Sequence, residues 1–249
     1  MKLRHGIIPA CDVTTLKDLE KLIKETYDVD GIVGFKIGAL LGLKYGLHNV
    51  VKVIIRYSDL PIIYDHQKYG TDIPEICGSG VLEVCKDAGI NSIIIFPQAG
   101  PETLKVTIEG SKDSNLKEPI RGCNGYGLTP IVGGDMTHKR YLVSDGGFIS
   151  DDAPEKMYND AAKLGVEYFV IPGTKIDKMK KYCNQLKKLV KSPKFMFPGI
   201  GKDYQGGDIV NAFEAVNPFN GYAIVGRELY KSDNINNTAK KLGDIALSF

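Results

Sequence analysis

Short apolar runs alternate with longer amphipathic stretches along this chain. The runs are Ile7–Val13, Gly31–Ile37, Pro61–Tyr64, Ser92–Phe96, Gly122–Leu128, Glu167–Ile171, Lys194–Phe197 and Gly221–Val225. Most are rich in Ile, Val, Phe and Tyr and almost continuously apolar, the pattern of parallel strands buried on both faces. Helical patterns lie between them. Thr15 suits the N-cap of a helix with Leu16, Leu19, Leu22 and Ile23 on one face, and Thr174 the cap of another with Ile176, Met179, Cys183, Leu186 and Leu189 facing inward. Pro154 fits the first turn of a helix carrying Met157, Ala161 and Leu164, and Ile235, Ala239, Leu242 and Ile245 mark the last helix. The helix after Asp72 is weakened by Gly78 and Gly80.

Eight β-then-α units in 249 residues predict an α/β fold, a (β/α)8 TIM barrel forming a single domain over 1–249. The fifth unit is the least regular. Its expected strand is interrupted by Gly122, Gly125 and Gly127, preceded by the polar loop Ser111–Glu118 and followed by a glycine-rich stretch, Pro130–Asp135.

Composition narrows the function classes. With 32 basic and 30 acidic residues the formal charge is +2, which gives no electrostatic case for nucleic acid or an anionic membrane surface. Basic clusters such as Lys178, Lys180 and Lys181 read as a solvated helix face. No apolar run approaches the roughly 20 residues of a membrane span, and Met1–Ala10 lacks the apolar centre of a signal peptide. The five cysteines are scattered, without a CxxC pair, so neither a disulfide framework nor a zinc site is expected and a cytoplasmic location is.

In a barrel of this type chemistry sits at the C-terminal ends of the strands. The polar residues there are Asp12, Lys36, Asp65, Lys68, Asp72, Thr137, Gln205 and Arg227. Asp12, Lys36 and Asp65 lie within or directly behind apolar runs, where a charge is rarely buried unless paired. Each taken singly reads as a buried salt bridge. At corresponding barrel positions they read together as a catalytic network. A second signal closes the chain: Pro198-Gly199-Ile200-Gly201, Gln205-Gly206-Gly207-Asp208 and Val225-Gly226-Arg227 form glycine-rich loops with an arginine one strand later, the composition of a phosphate site.

The stretch Asp65-His66-Gln67-Lys68-Tyr69-Gly70-Thr71-Asp72-Ile73-Pro74 resembles the Asp-x-Lys-x-x-Asp-Ile-Pro signature of orotidine 5′-phosphate decarboxylases. Further matches run in order: Asp12, Lys36-Ile37-Gly38, Met136-Thr137-His138, Val170-Ile171-Pro172-Gly173-Thr174, the two glycine loops, and Ile224-Val225-Gly226-Arg227 with Tyr230. The resemblance implies a decarboxylation of orotidine 5′-phosphate to UMP in pyrimidine synthesis, without metal or other cofactor. It implies Lys68 as the acid that protonates C6, Asp65 crowding the departing carboxylate, and Asp12 and Lys36 on the ribose hydroxyls. It places Thr137 and Gln205 at the pyrimidine, Pro172 on the sixth strand's part of the substrate site, and Gly206, Gly226 and Arg227 at the phosphate. Asp72 is expected to reach the site of a second subunit, making the enzyme a homodimer. A lysine between two carboxylates is held protonated, as such an acid requires.

This chain departs from the signature in spacing. Asp65 and Lys68 stand three apart instead of two, which predicts a bulge near His66–Gln67 that returns Lys68 to the site. Ile76 stands where the family often has a threonine, and His66 has no counterpart. Related barrels of the ketogulonate-phosphate and hexulose-phosphate kind use Mg²⁺ held by a Glu near the end of strand two; Lys36 occupies that segment here. The other alternative is a phosphate-binding barrel without catalysis.

Overall fold

The computed structural model describes residues 1–66, 69–112, 119–201 and 204–249. Eight parallel strands form the barrel: β1 (His5–Pro9), β2 (Phe35–Gly38), β3 (Ile62–Asp65), β4 (Ser92–Ile95), β5 (Thr129–Gly133), β6 (Tyr168–Val170), β7 (Lys194–Phe197) and β8 (Asn220–Val225). Each pairs with its neighbour in sequence from β2 to β8, and β8 pairs with β1 in the register His5↔Gly221 to Pro9↔Val225. Isolated parallel bridges, Ile7↔Ile32 and Ala10↔Lys36, join β1 to the β2 segment and close the ring.

The period of two along each strand sorts side chains between two cores. Ile8, Ala10, Val33, Ile63, Ile94, Ile131, Val170, Met196, Tyr222 and Ile224 fill the barrel interior. Their neighbours Ile7, Phe35, Ile37, Ile62, Tyr64, Phe195 and Phe197 point outward into the layer between strands and helices. Phe35 and Ile37 face out, so Lys36 faces in; Ile62 and Tyr64 face out, so Asp65 shares the inner face with Ile63. That alternation explains how charged residues enter a barrel whose strands look wholly apolar.

The helices follow their caps. Thr15 accepts a hydrogen bond from the Asp18 N–H (3.1 Å) and starts Leu16–Lys24, with Leu19, Leu22 and Ile23 buried. Each such leucine contributes about 2 kcal/mol of apolar burial. Asn234 caps Ile235–Leu247 and Pro154 lies in the first turn of Ala153–Lys163. The segment after Asp72 breaks at Ser79 into Pro74–Gly78 and Gly80–Asp87, where its glycines weaken it.

Three expectations change. The fifth strand is Thr129–Gly133, not Gly122–Leu128. Residues Cys123–Tyr126 form one helical turn ended by Gly127 in the left-handed region (φ 64°), so of the glycines that interrupted the expected strand Gly122 and Gly127 in fact cap a helical turn and Gly125 lies within it. Thr174 does not cap the helix after β6: Ile176–Leu186 starts from Lys175, and the Thr174 hydroxyl instead donates to the Thr137 carbonyl at 3.4 Å. Leu189 lies beyond that helix and is exposed.

Candidate active site

At the C-terminal mouth of the barrel a cavity of about 210 Å³ is lined on its polar side by Asp12, Lys36, Asp65, Asp135, Thr137, His138 and Gln205, and elsewhere by Ile94, Phe96, Val170, Pro198, Ile224 and Gly226. Its charged floor comes from three adjacent strands. Lys36 Nζ lies 3.0 Å from Asp65 Oδ2 and 3.3 Å from Asp12 Oδ1. Lys36 and Asp65 are almost wholly buried, whereas the Asp12 side chain is 49% exposed and opens to the cavity. Burial pulls the Lys36 ammonium down, but the Asp65 and Asp12 carboxylates outweigh it and hold the group above the ordinary lysine range. Gly38 makes room for this arrangement: a Cβ there would lie 2.8 Å from Asp12 Oδ1.

The adjoining rim, on the other side of β1, is built by the loops after β7 and β8. Gly199, Gly201 and Gly206 all have positive φ (95°, 123° and 82°), a backbone only glycine adopts readily. The Gly201 carbonyl accepts from the N–H groups of Tyr204, Gln205 and Gly206, while Gly207 N–H donates to Gly199 O and Gly201 N–H to Gly207 O. This closed base presents Tyr204–Gly206 to solvent. Arg227, exposed at the rim, donates to the Tyr204 carbonyl at 3.3 Å and lies over its ring at 5.7 Å, with the Lys231 ammonium 6.0 Å from the same ring.

The structure therefore brings together Asp12, Lys36, Asp65, Thr137, Gln205 and Gly226. Pro172 is buried and is not part of the cavity lining. Gly206 lies on the exposed loop, its N–H already donated to Gly201. Asp72 is exposed away from the cavity, its carboxylate accepting from the Ile73 N–H at 2.7 Å, beside exposed Ile73 and Ile76. Lys68, and with it the expected bulge at His66–Gln67, falls outside the described residues. His66 is turned to the outer face, where its Nδ1 pairs with the Tyr64 hydroxyl at 2.7 Å.

Sequence reasoning missed one participant. Asp135, at the end of β5, has a wholly buried side chain and ion pairs with Lys175 (2.9 Å) and Lys178 (3.5 Å). Lys178 is thus not simply part of a solvated face. The signal is a charged residue directly behind an apolar strand, hidden because Pro130–Asp135 reads as a glycine-rich stretch.

The family model described as orotidine 5′-phosphate decarboxylase / HUMPS matches residues 6–242. Curated relatives named orotidine 5′-phosphate decarboxylase include those of Methanococcus maripaludis, 28% identical over 236 residues and 93% of both chains, and of Methanococcoides burtonii, 27% identical over 246 residues and 98% of both. Among solved structures, the Methanocaldococcus jannaschii orotidine 5′-monophosphate decarboxylase complexed with the inhibitor BMP superposes with a TM-score of 0.75 at 23% identity, covering 97% of this chain and 98% of that one. The Pyrococcus horikoshii enzyme gives 0.74 at 22% identity, covering 97% and 99%. At these identities the structural likeness speaks for the barrel fold.

Proposed function

The chain belongs to the orotidine 5′-phosphate decarboxylase / HUMPS family, and within it we propose that it is the carboxy-lyase that converts orotidine 5′-phosphate to UMP. The observation that carries this reading is the Lys36 ammonium seated between Asp65 and Asp12 on the cavity floor. A divalent cation needs those carboxylates for itself. Here the Lys36 ammonium already lies between them and takes up an oxygen of each. That arrangement supports metal-free decarboxylation over the Mg²⁺-dependent sugar-phosphate chemistry of related barrels.

In this reading the nucleotide lies with its phosphate at Gly226 and Arg227, its ribose hydroxyls on Asp12 and Lys36, and its base against Thr137 and Gln205. Asp65 faces the substrate carboxylate. Repulsion between them is relieved as the C6–carboxylate bond breaks and neutral CO2 leaves, so the site favours the transition state over the bound substrate. The electron pair left on C6 takes a proton from the Lys68 ammonium, which solvent then restores. Phosphate binding far from C6 contributes to rate through the same difference, by holding the ring against Asp65.

Exposed Asp72, beside Ile73 and Ile76, supports a homodimer in which Asp72 enters the neighbouring site. All five cysteines are free and buried, which supports a cytoplasmic location. No helix among the described residues is long and apolar enough to cross a membrane.

Purified protein given orotidine 5′-phosphate should bleach the orotate chromophore and release CO2, unaffected by a chelator, and Lys68→Ala should abolish this. Tight UMP binding without turnover would instead support a binding barrel. Activity on a sugar phosphate that requires Mg²⁺ would support the alternative chemistry.

A further inference from the structure

The chain leaves β5 through Gly133 and Gly134, which have no room for a side chain: a Cβ at Gly133 would lie 2.3 Å from the Phe96 ring and one at Gly134 3.0 Å from Pro154. Asp135 follows, with its side chain wholly buried. A carboxylate in such a place is costly unless its oxygens are all engaged, and they are. Oδ1 accepts from the Met136 N–H (2.8 Å) and Lys175 Nζ (2.9 Å). Oδ2 accepts from the Tyr182 hydroxyl (2.9 Å) and faces Lys178 Nζ at 3.5 Å. The Asp135 N–H in turn donates to the Tyr158 hydroxyl (3.2 Å), which donates to the Val170 carbonyl at 2.7 Å. Burial, with the Asp135 charge beside them, pushes both phenols well above their ordinary range, so both remain donors.

These contacts gather the ends of β5 and β6 and the two helices that follow them. Their output is the course of the backbone after Asp135. The bond to the Met136 N–H turns the chain across the cavity mouth, so that Met136, Thr137 and His138 line it. Thr137 is braced from the far side by Gly199, where a Cβ would lie 2.9 Å from Thr137 Cγ2, and by the Thr174 hydroxyl on its carbonyl.

We propose that Asp135 is a positioning residue for the substrate base: held by Lys175, Tyr182 and Tyr158, it borders the cavity with its carboxylate wholly buried and acts by fixing Thr137 at the wall where the pyrimidine binds. This rests on the nucleotide reading of the cavity. It assigns a role in base recognition to a network separate from the Lys36 floor and from the phosphate loops.

The test compares two ligands that share a phosphate and pentose and differ in the base. Affinities of the full chain for UMP and for ribose 5-phosphate are measured by calorimetry, with unmutated protein, Asp135→Asn, Tyr182→Phe, Thr137→Ala and the Asp135→Asn/Thr137→Ala double variant. Asp135→Asn should weaken UMP on the order of tenfold through misplacement of the wall and leave ribose 5-phosphate within about twofold, the phosphate loops being untouched. The double variant should bind UMP no more weakly than the worse single variant, because both changes act through one contact. Equal weakening of both ligands, or fully additive losses, overturns the proposal. Should Asp135→Asn fail to fold, Tyr182→Phe must show the same base-selective loss at smaller size, and a uniform loss there overturns it equally. An unmutated chain that binds UMP but does not turn over orotidine 5′-phosphate sinks the decarboxylase reading alone, whereas failure to bind UMP at all sinks both.

Discussion

Among the described residues, two charge networks flank the mouth of this barrel, and their stoichiometry is opposite. On the side of β1 to β3, one ammonium, Lys36, lies between two carboxylates. On the side of β5 and β6, one carboxylate, Asp135, lies among two ammonium groups and a phenol. The first leaves Asp12 half open to the cavity, whereas the second closes entirely over its own carboxylate. An open network can exchange partners with a ligand during a reaction, but a closed one has every acceptor engaged and can only hold a shape. The difference separates groups suited to chemistry from groups suited to placement, although both are salt bridges between adjacent βα units.

The largest effect expected from breaking this contrast is at Lys36. Lys36→Met leaves Asp65 and Asp12 without the cation between them. It should lower kcat by about a thousandfold, the scale seen when a preorganised charge partner is removed, and destabilise the fold by about 3 kcal/mol. A kcat within tenfold of the unmutated enzyme would place the floor among structural networks and erase the distinction. The pH dependence gives an independent check. The Lys36 value is raised above its ordinary 10.5 in the fold, so the folded state holds its proton longer than the unfolded chain. The stability this contributes is complete below 10.5 and is lost as pH rises from there through the folded value. Denaturant unfolding between pH 7 and 10 should therefore show no loss from this network, with a decline beginning above that range that Lys36→Met lacks.

A smaller effect is expected at Gly38, whose backbone angles any residue adopts and whose only demand is space. In Gly38→Ala the new methyl group meets Asp12 Oδ1 at 2.8 Å. Asp12 is exposed enough to swing away, so the fold should be retained while the Asp12–Lys36 contact is lost. The expected result is a roughly tenfold fall in kcat/KM with a melting temperature within a few degrees of the unmutated protein. A large loss of stability without that fall would mean that Asp12 is held for packing.

How legible the two networks were in the sequence follows from their placement. Asp12, Lys36 and Asp65 stood out because each interrupts or ends an apolar run, and strand alternation then carried Lys36 and Asp65 inward. The barrel was legible for the same reason, seven of its strands lying where the apolar runs lie. Strand β5 was not, because Thr129–Gly133 contains Pro130 and ends at Gly133 while Gly122–Leu128 is as apolar and only its left-handed Gly127 reveals a helix end. Misplacing that strand hid Asp135, which became one polar residue in a glycine loop. Its partners stand 40 and 47 residues further on, in a helix whose lysines look solvated. Local pattern carries no information about such pairs; only the adjacency of β5 and β6 creates them.

The smallest effect, and the sharpest division within the second network, is between its two lysines. If the surplus positive charge beside the cavity were what mattered, Lys175 and Lys178 would count alike. Their geometry says otherwise. Lys175 Nζ is 2.9 Å from Asp135 with a quarter of its side chain exposed, while Lys178 Nζ is 3.5 Å away and 39% exposed. Solvent screens the longer, more open pair, which should be worth no more than about 0.5 kcal/mol. Lys178→Ala should therefore change UMP affinity by less than about twofold, an effect that vanishes as ionic strength rises. Lys175→Met removes a direct hydrogen bond to the oxygen that also holds the Met136 N–H, and should weaken UMP several-fold at any salt concentration. Titrations at low and high salt on both variants decide between charge and geometry. Equal, salt-sensitive losses would make the Asp135 side an electrostatic field like the floor, and unequal, salt-insensitive ones keep it a hinge-pin for Thr137.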